Sequence, residues 1–279
     1  MKLAYSPCPN DTYIFAALTN GLLADAPRVE AVLDDVESLN MAARRGRYEL
    51  TKVSYGAIPY VLDRYRILRS GGALGRGCGP LLIARPDRGG SVPGLEQLDP
   101  EALIAIPGVM TTAFMLLRLA LGRTPRYAEL RFDRIVDAVA SGEVDAGLII
   151  HESRFTYQQH GLRPLVDLGE WWETESGAAI PLGAILARRD LDDATARAAD
   201  AAIRKSLAFA RSREHAIMDY VRAHAAEMSD DVMRRHIALY VNDYSDDLGE
   251  EGMQAVQALF SRASGAGLIP AETKPEFVP

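Results

Sequence analysis

The sequence is 279 residues long, room for about two domains and for a large core built without disulfides or metals. Its 31 Lys and Arg against 38 Asp and Glu give a net charge of −7, which excludes a chain that wraps nucleic acid and needs a basic face to do so. With 48% hydrophobic and 25% charged residues, it is also neither disordered, collagen-like nor a disulfide scaffold.

Residues 3–5 read as a short strand, closed by Ser6-Pro7-Cys8-Pro9, where two prolines oppose helix and ladder alike. Asn10 or Asp11 is the expected cap of a helix from about Thr12, with Ile14, Ala17 and Leu18 on its apolar face and a stop at Gly21. Residues 29–33 form a second strand. Asp34 or Asp35 then caps a helix carrying Val36, Leu39 and Ala43, which ends at Gly46. Leu50–Ser54 is a third strand, followed by a short helical stretch through Val61 and Leu62. Residues 66–70 and 80–84 read as strands around a glycine-rich turn, 71–79, and 86–94 has linker composition. A second α/β unit follows, with strands at 103–106, 129–132, 146–150, 165–168 and 183–187. Its helices begin at Thr111 or Thr112 and span 135–140. The fully apolar strand 146–150 is expected at the centre of its sheet. From Asp192 onward only helices are predicted, among them one capped by Ser229 with Val232, His236 and Tyr240 on one face, and a last one over 249–263.

Alternating strands and helices predict an α/β fold of parallel sheets covered on both faces. Two such units joined twice predict two lobes with a ligand cleft between them. Lobe I comprises 1–86 and 188–279, including the C-terminal helical segment, and lobe II comprises 87–187. No span reaches the ~18 apolar residues of a membrane helix, and the N-terminal apolar run is too short for a signal peptide, so a cytoplasmic protein is expected. Cys8 and Cys78, 70 residues apart, form no zinc spacing and read as free thiols of a reducing compartment. P-loop, dinucleotide, zincin and nucleophile-elbow signatures are all missing from the sequence, so no metal or nucleotide cofactor is indicated.

Ligands of open α/β sheets bind beyond the carboxyl ends of strands. The groups found there are Ser6, Asn10 and Asp11 after the first strand, Lys52, Val53 and Ser54 in the third, Thr112 and Ala113 after the strand at 103–106, and His151 after 146–150. His151 is the best single candidate, because imidazole titrates near pH ~6.5 and suits a general base. The plain alternative is a histidine that merely ends a strand. Glu152 is the weaker partner for it, since neighbouring strand residues face opposite sides. Thr112 and Ala113 offer the open N–H groups of a helix start to a carboxylate, unless Thr111 or Thr112 does no more than cap. Lys52 is either a ligand for charge or a solvated lysine. His236 reads as a core-edge residue, His215 and His224 as surface, His160 as a loop residue and Trp171-Trp172 as packing. Cys8 has no identifiable histidine partner and is a minor candidate nucleophile.

Several stretches together resemble one family. They are Ser6-Pro7-Cys8-Pro9-Asn10-Asp11-Thr12, Asp35-Val36-Glu37-Ser38-Leu39-Asn40, Leu50-Thr51-Lys52-Val53-Ser54-Tyr55, Ser70-Gly71-Gly72-Ala73-Leu74-Gly75-Arg76-Gly77 with Gly79-Pro80, and 147–157 with its His-Glu-Ser-Arg-Phe-Thr-Tyr block. The chain is similar, over nearly its whole length, to the 1,4-dihydroxy-6-naphthoate synthases of the futalosine route to menaquinone. The resemblance implies a periplasmic-binding-protein type II-like fold, each lobe a mixed sheet flanked by helices. It implies a lyase that converts cyclic dehypoxanthinyl futalosine to 1,4-dihydroxy-6-naphthoate without a cofactor. By similarity His151 is the proton acceptor, and Lys52, Val53, Ser54, Thr112 and Ala113 line the substrate site. Ser6, Asn10, Asp11 and Arg154 are further cleft candidates. The expected partner is a small carboxylated molecule, with no nucleic acid and no membrane. Chorismate dehydratase of the same pathway, a carboxylate-binding receptor without catalysis and a ligand-sensing regulator domain are the alternatives.

Overall fold

A computed structural model describes residues 1–87, 90, 92, 94–225, 229–271 and 273–279. The linker stretch 86–94 therefore lies partly outside the described residues. The strands are β1 (Lys2–Tyr5), β2 (Glu30–Leu33), β3 (Leu50–Ser54), β4 (Tyr65–Ile67), β5 (Ala73–Gly75), β6 (Leu81–Ala84), β7 (Ile104–Ile106), β8 (Tyr127–Glu129), β9 (Ala146–Ile149), β10 (Arg163–Asp167) and β11 (Ile180–Arg188). The α-helices are α1 (Pro9–Thr19), α2 (Val36–Arg44), α3 (Thr112–Leu121), α4 (Ile135–Ser141), α5 (Ser153–Thr156), α6 (Leu168–Ser176), α7 (Asp193–Ser212), α8 (Met218–His224), α9 (Asp230–Tyr240), α10 (Asp243–Asp246) and α11 (Gly249–Gly265).

The first sheet runs β2-β1-β3-β11-β4, with β5 also paired to β11, and the second runs β10-β6-β9-β7-β8. In the first sheet β1 pairs in parallel with β2 and β3, whereas β11 is antiparallel to β3, β4 and β5. In the second, β7 is parallel to β8 and β9, and β6 is antiparallel to β9 and β10. The sheets are thus mixed, not wholly parallel as strand–helix alternation predicts, because β6 and β11 run opposite to β9 and β3 beside them. β9 is the central strand of its sheet, as its unbroken apolar run requires. β6 joins the second sheet and β11 the first, so the chain changes sheets between 75 and 81 and again between 167 and 180. The first crossing, Arg76-Gly77-Cys78-Gly79-Pro80, precedes the stretch of linker composition at 86–94, and the second contains α6.

Several boundaries differ from the sequence reading. α1 begins at Pro9, with Cys8 as its N-cap, and not at Thr12 after Asn10 or Asp11. Pro9 has no N–H to lose in the first turn and its fixed φ suits that place, so this proline starts a helix. β5 lies inside the expected glycine-rich turn and is defined by its pairing with β11. β8 and β10 each start two residues earlier than expected, and α6, which carries Trp171 and Trp172, is a helix that the sequence reading does not predict. Asp35, Thr111, Asp192 and Ser229 each accept a backbone N–H at the start of their helix, contacts worth ~1 kcal/mol each.

The largest core cluster is continuous from Val53 and Tyr65 of the first sheet through Phe114 and Trp172 to Leu82 and Leu148 of the second. Trp172 is fully buried and donates its Nε1–H to the Ala179 carbonyl at 3.1 Å. A second cluster packs α1 and α7 with residues of α8 and Met233 against the first sheet, through Ile14, Ile203, Leu207 and Val221. Among the described residues no helix is long and apolar enough to cross a membrane.

Candidate functional site

The carboxyl ends of β1 and β3 in the first sheet and of β7 and β9 in the second surround one cavity with about 660 Å³ of empty space, part of it open to solvent. Ser6, Asn10, Asp11, Lys52, Ser54, Thr112, Ala113 and His151 all line it, which are eight of the ten residues singled out from sequence. Val53 and Arg154 do not. Strand alternation turns the Val53 side chain into the core, fully buried. Arg154 turns away from the cavity to the Gly77 and Gly79 carbonyls and to Asp167, 2.6 Å off, so its guanidinium clamps the β5–β6 crossing to β10.

A charged cluster forms the first-sheet wall. Asp11 is fully buried in the first turn of α1, where the helix dipole favours a carboxylate. Its Oδ2 accepts from the Ser6 hydroxyl at 2.7 Å and the Ser6 N–H at 3.2 Å, and its Oδ1 accepts from Asn10 Nδ2 at 2.8 Å. The Lys52 ammonium forms a buried ion pair with the same Oδ1. An ammonium carries three N–H groups, so this pair leaves donors for a ligand in the cavity. Gly183 on β11 makes room for the lysine stem, since a Cβ there would stand 2.9 Å from Lys52 Cε. Ser54 is held from behind by Asn40, whose Oδ1 accepts the Ser54 N–H at 2.8 Å while its Nδ2 donates to Ser54 Oγ at 3.3 Å.

The second-sheet wall begins at α3. Thr111 caps the helix by accepting the Phe114 N–H at 3.2 Å. The Thr112 hydroxyl accepts from Gly56 N–H at 3.1 Å and donates to the Leu182 carbonyl at 2.9 Å, so it joins elements and its single O–H is not free for an anionic ligand. Thr112 and Ala113 can still offer the first N–H groups of α3, which have no preceding helical turn to bond. The loop before α3 is docked on α2. Glu37 Oε1 accepts the Met110 N–H at 3.3 Å, and Gly108, at φ +153°, has no side chain because a Cβ would stand 2.4 Å from Glu37 Cδ. Burial pushes the Glu37 carboxyl above its usual range.

His151 completes the second wall. β9 stops at Ile149, and His151 itself has φ +58°, the one non-glycine residue among those described in the left-handed region. A backbone held there in a non-glycine residue is typical of functional turns. The strand-alternation argument against Glu152 therefore does not apply; Glu152 is half-buried, and its Oε2 is buried with no hydrogen-bond partner among the described residues. Phe132 meets the His151 ring edge-on, with centroids 5.1 Å apart. Burial pushes the imidazole down to about 4, with Asp11 opposing that shift and Lys52 adding to it.

Two neighbours of His151, Cys8 and His236, are closer to the site than the sequence suggests. Cys8 Sγ lies 3.4 Å from His151 Nδ1, which supplies the histidine partner the sequence did not reveal. Burial pushes the Cys8 thiol far up, so the pair is a neutral thiol beside a neutral imidazole, not an activated thiolate. His236, expected at the core edge, is fully buried but lines the cavity, with its ring nearly parallel to that of His151 and centroids 6.4 Å apart. Among the described residues no group of three His, Cys, Asp or Glu is arranged to hold a metal ion. The arrangement can take up an anion at Lys52 and α3 and move a proton at a neutral imidazole.

Comparison with known proteins accords with this geometry. A family described as menaquinone biosynthesis matches residues 1–265. A 1,4-dihydroxy-6-naphthoate synthase of Thermus thermophilus is 52% identical over 279 residues, 100% of this chain and 99% of the relative. One of Streptomyces coelicolor is 44% identical, covering 97% of this chain and 95% of its own length. Among solved structures, a protein of Archaeoglobus fulgidus superposes with a TM-score of 0.88 at 35% identity, over 96% of this chain and 98% of that one. Two more distant structures share the fold. An alkanesulfonate-binding protein of Xanthomonas axonopodis has a TM-score of 0.73 at 15% identity, over 100% of this chain and 96% of its own. A Candida albicans protein with the generic periplasmic binding protein fold has a TM-score of 0.67 at 12% identity, over 100% of this chain and 97% of its own. The fold is thus periplasmic-binding-protein-like, and the chain belongs to the 1,4-dihydroxy-6-naphthoate synthase family of menaquinone biosynthesis.

Proposed function

We propose that the cavity binds cyclic dehypoxanthinyl futalosine and that the protein, as a lyase, releases 1,4-dihydroxy-6-naphthoate from it, with His151 as general base. The observation that carries this reading is the His151 ring itself. It borders the cavity on a strained turn and is neutral at pH 7, so its lone pair is ready to accept a proton. The substrate is a carboxylated aromatic system joined to a sugar-derived part. Its carboxylate is met by the spare Lys52 donors and the α3 N–H groups at Thr112 and Ala113, and Ile150, Leu182 and Tyr240 supply apolar wall.

In this mechanism His151 takes a carbon-bound proton from the sugar-derived part. The electrons of that C–H bond form a new double bond as the leaving group departs with its own pair, and aromatisation draws the reaction forward. A positioned base contributes ~10²–10⁴ in rate. The two sheets serve as two lobes that close on the substrate and exclude water, which the pairing of Cys8 with His151 across them supports.

The test is incubation of the purified protein with cyclic dehypoxanthinyl futalosine and, separately, with chorismate, followed by mass spectrometry. Dihydroxynaphthoate from the first and no product from the second is expected. Turnover of chorismate alone, or binding of either compound with no product, overturns the reading.

A further inference from the structure

α9 presents Met233, His236 and Tyr240 to the protein interior. Met233 packs in one apolar cluster and Tyr240 in another, and His236 lies between them where this face crosses the cavity. Its ring is fully enclosed, against Tyr240 at 4.7 Å, Phe155 at 6.3 Å and His151 at 6.4 Å between centroids. Arg235, the preceding residue, stacks over Phe155 at 5.0 Å and so fastens the helix beside the turn that carries His151. Neither His236 Nδ1 nor His236 Nε2 has a hydrogen-bond partner among the described residues. Buried polar atoms are paired almost without exception, and a histidine serving only as core would find a carbonyl or hydroxyl.

We infer that His236 is a substrate-contacting residue whose imidazole hydrogen-bonds a neutral hydroxyl of the sugar-derived part of the substrate. The inference rests on the substrate reading given above. Burial, reinforced by His151 and Lys52, pushes the His236 ring well below its ordinary value and keeps it neutral. A neutral imidazole has one N–H and one lone pair. A hydroxyl answers both; a carboxylate answers only the donor and is better met at Lys52. His236 thereby orients the sugar-derived part against His151 while Lys52 and α3 hold the other end.

The experiment compares His236→Asn and His236→Leu, side chains of nearly equal shape that differ in polar atoms, with wild type on cyclic dehypoxanthinyl futalosine. Wild-type turnover is measured first, so that failure of the substrate reading is recognised before the variants are judged. His236→Leu is expected to raise KM at least tenfold, and His236→Asn to recover most of that loss. The unliganded His236→Leu protein is expected to melt no lower than wild type, because removing unpartnered buried nitrogens is not destabilising. A KM for His236→Leu within twofold of wild type, or equal losses in Asn and Leu, overturns the inference. Should His236→Leu fail to fold, the histidine is a structural residue, and that outcome overturns it as well.

Discussion

Cys8 Sγ and His151 Nδ1 stand 3.4 Å apart, joining the N-cap of α1 beside the first sheet to the left-handed turn after the central strand of the second. With both groups uncharged, one hydrogen decides the chemistry. If sulfur donates it, Nδ1 is occupied and Nε2 carries the imidazole proton. If Nδ1–H donates to sulfur, Nε2 keeps the lone pair a base needs.

Cys8 therefore acts by orienting the ring, and Cys8→Ala is expected to lower kcat by about tenfold or less, the range of a lost positioning contact, far short of the ~10²–10⁴ carried by a general base. A nucleophile would instead lose as much as His151→Ala does. Steady-state rates of the two variants decide, and alkylation of the native protein at Cys8 is expected to be slow, because the thiol is buried and held protonated.

The depressed histidines make two pH predictions. In the unfolded chain both rings return toward ~6.5. Between that value and about 4 for His151, the unfolded state binds more protons than the folded one. Stability therefore falls as pH drops through this window, by up to about 1.4 kcal/mol per pH unit for each histidine, and the contribution is fully present above it. Urea unfolding of wild type and His236→Leu at pH 7 and pH 5 checks this, with the smaller loss expected in the variant. For the reaction, the acid limb of kcat/KM attributable to His151 should lie near pH 4, and a limb near 6.5 would contradict a base with a depressed pKa.

Lys52 and Asp11 are a buried pair in which neither charge has another counter-ion among the described residues. Lys52→Met leaves Asp11 buried with only Ser6 and Asn10 as donors, and is expected to cost about 3–5 kcal/mol of stability. The double variant Lys52→Met with Asp11→Leu should recover a large part of that loss, since it removes the unpaired charge. Equilibrium denaturation of the three proteins measures it, and a cost below about 1 kcal/mol for Lys52→Met would show that the pair is effectively solvated.

The sequence displays those parts of this molecule that depend on neighbours in the chain. β1, β3 and β9 are legible as short apolar runs, and the caps at Asp35, Thr111, Asp192 and Ser229 as single residues before periodic stretches. β5 is not, because its strand character comes from β11, over 100 residues away. α6 hides its helical face behind two adjacent tryptophans, although Asp167 with Glu170 three residues on is a helix-start signal that was there to be read. The strand-end rule gathers most of the site but cannot say which side of β3 faces the cavity, so Val53 came with Lys52 and Ser54. The approach of Cys8 to His151 spans 143 residues, and the cavity-lining role of His236 needs the third dimension, since its helical spacing is that of any core residue.

The most direct test of this account is the single-turnover rate of His151→Ala on cyclic dehypoxanthinyl futalosine, with the circular dichroism and melting point of the variant matched to wild type. A fall of ~10²–10⁴ with substrate binding retained is the predicted result. A rate within a few-fold of wild type would contradict it and remove the proton acceptor from the centre of the mechanism.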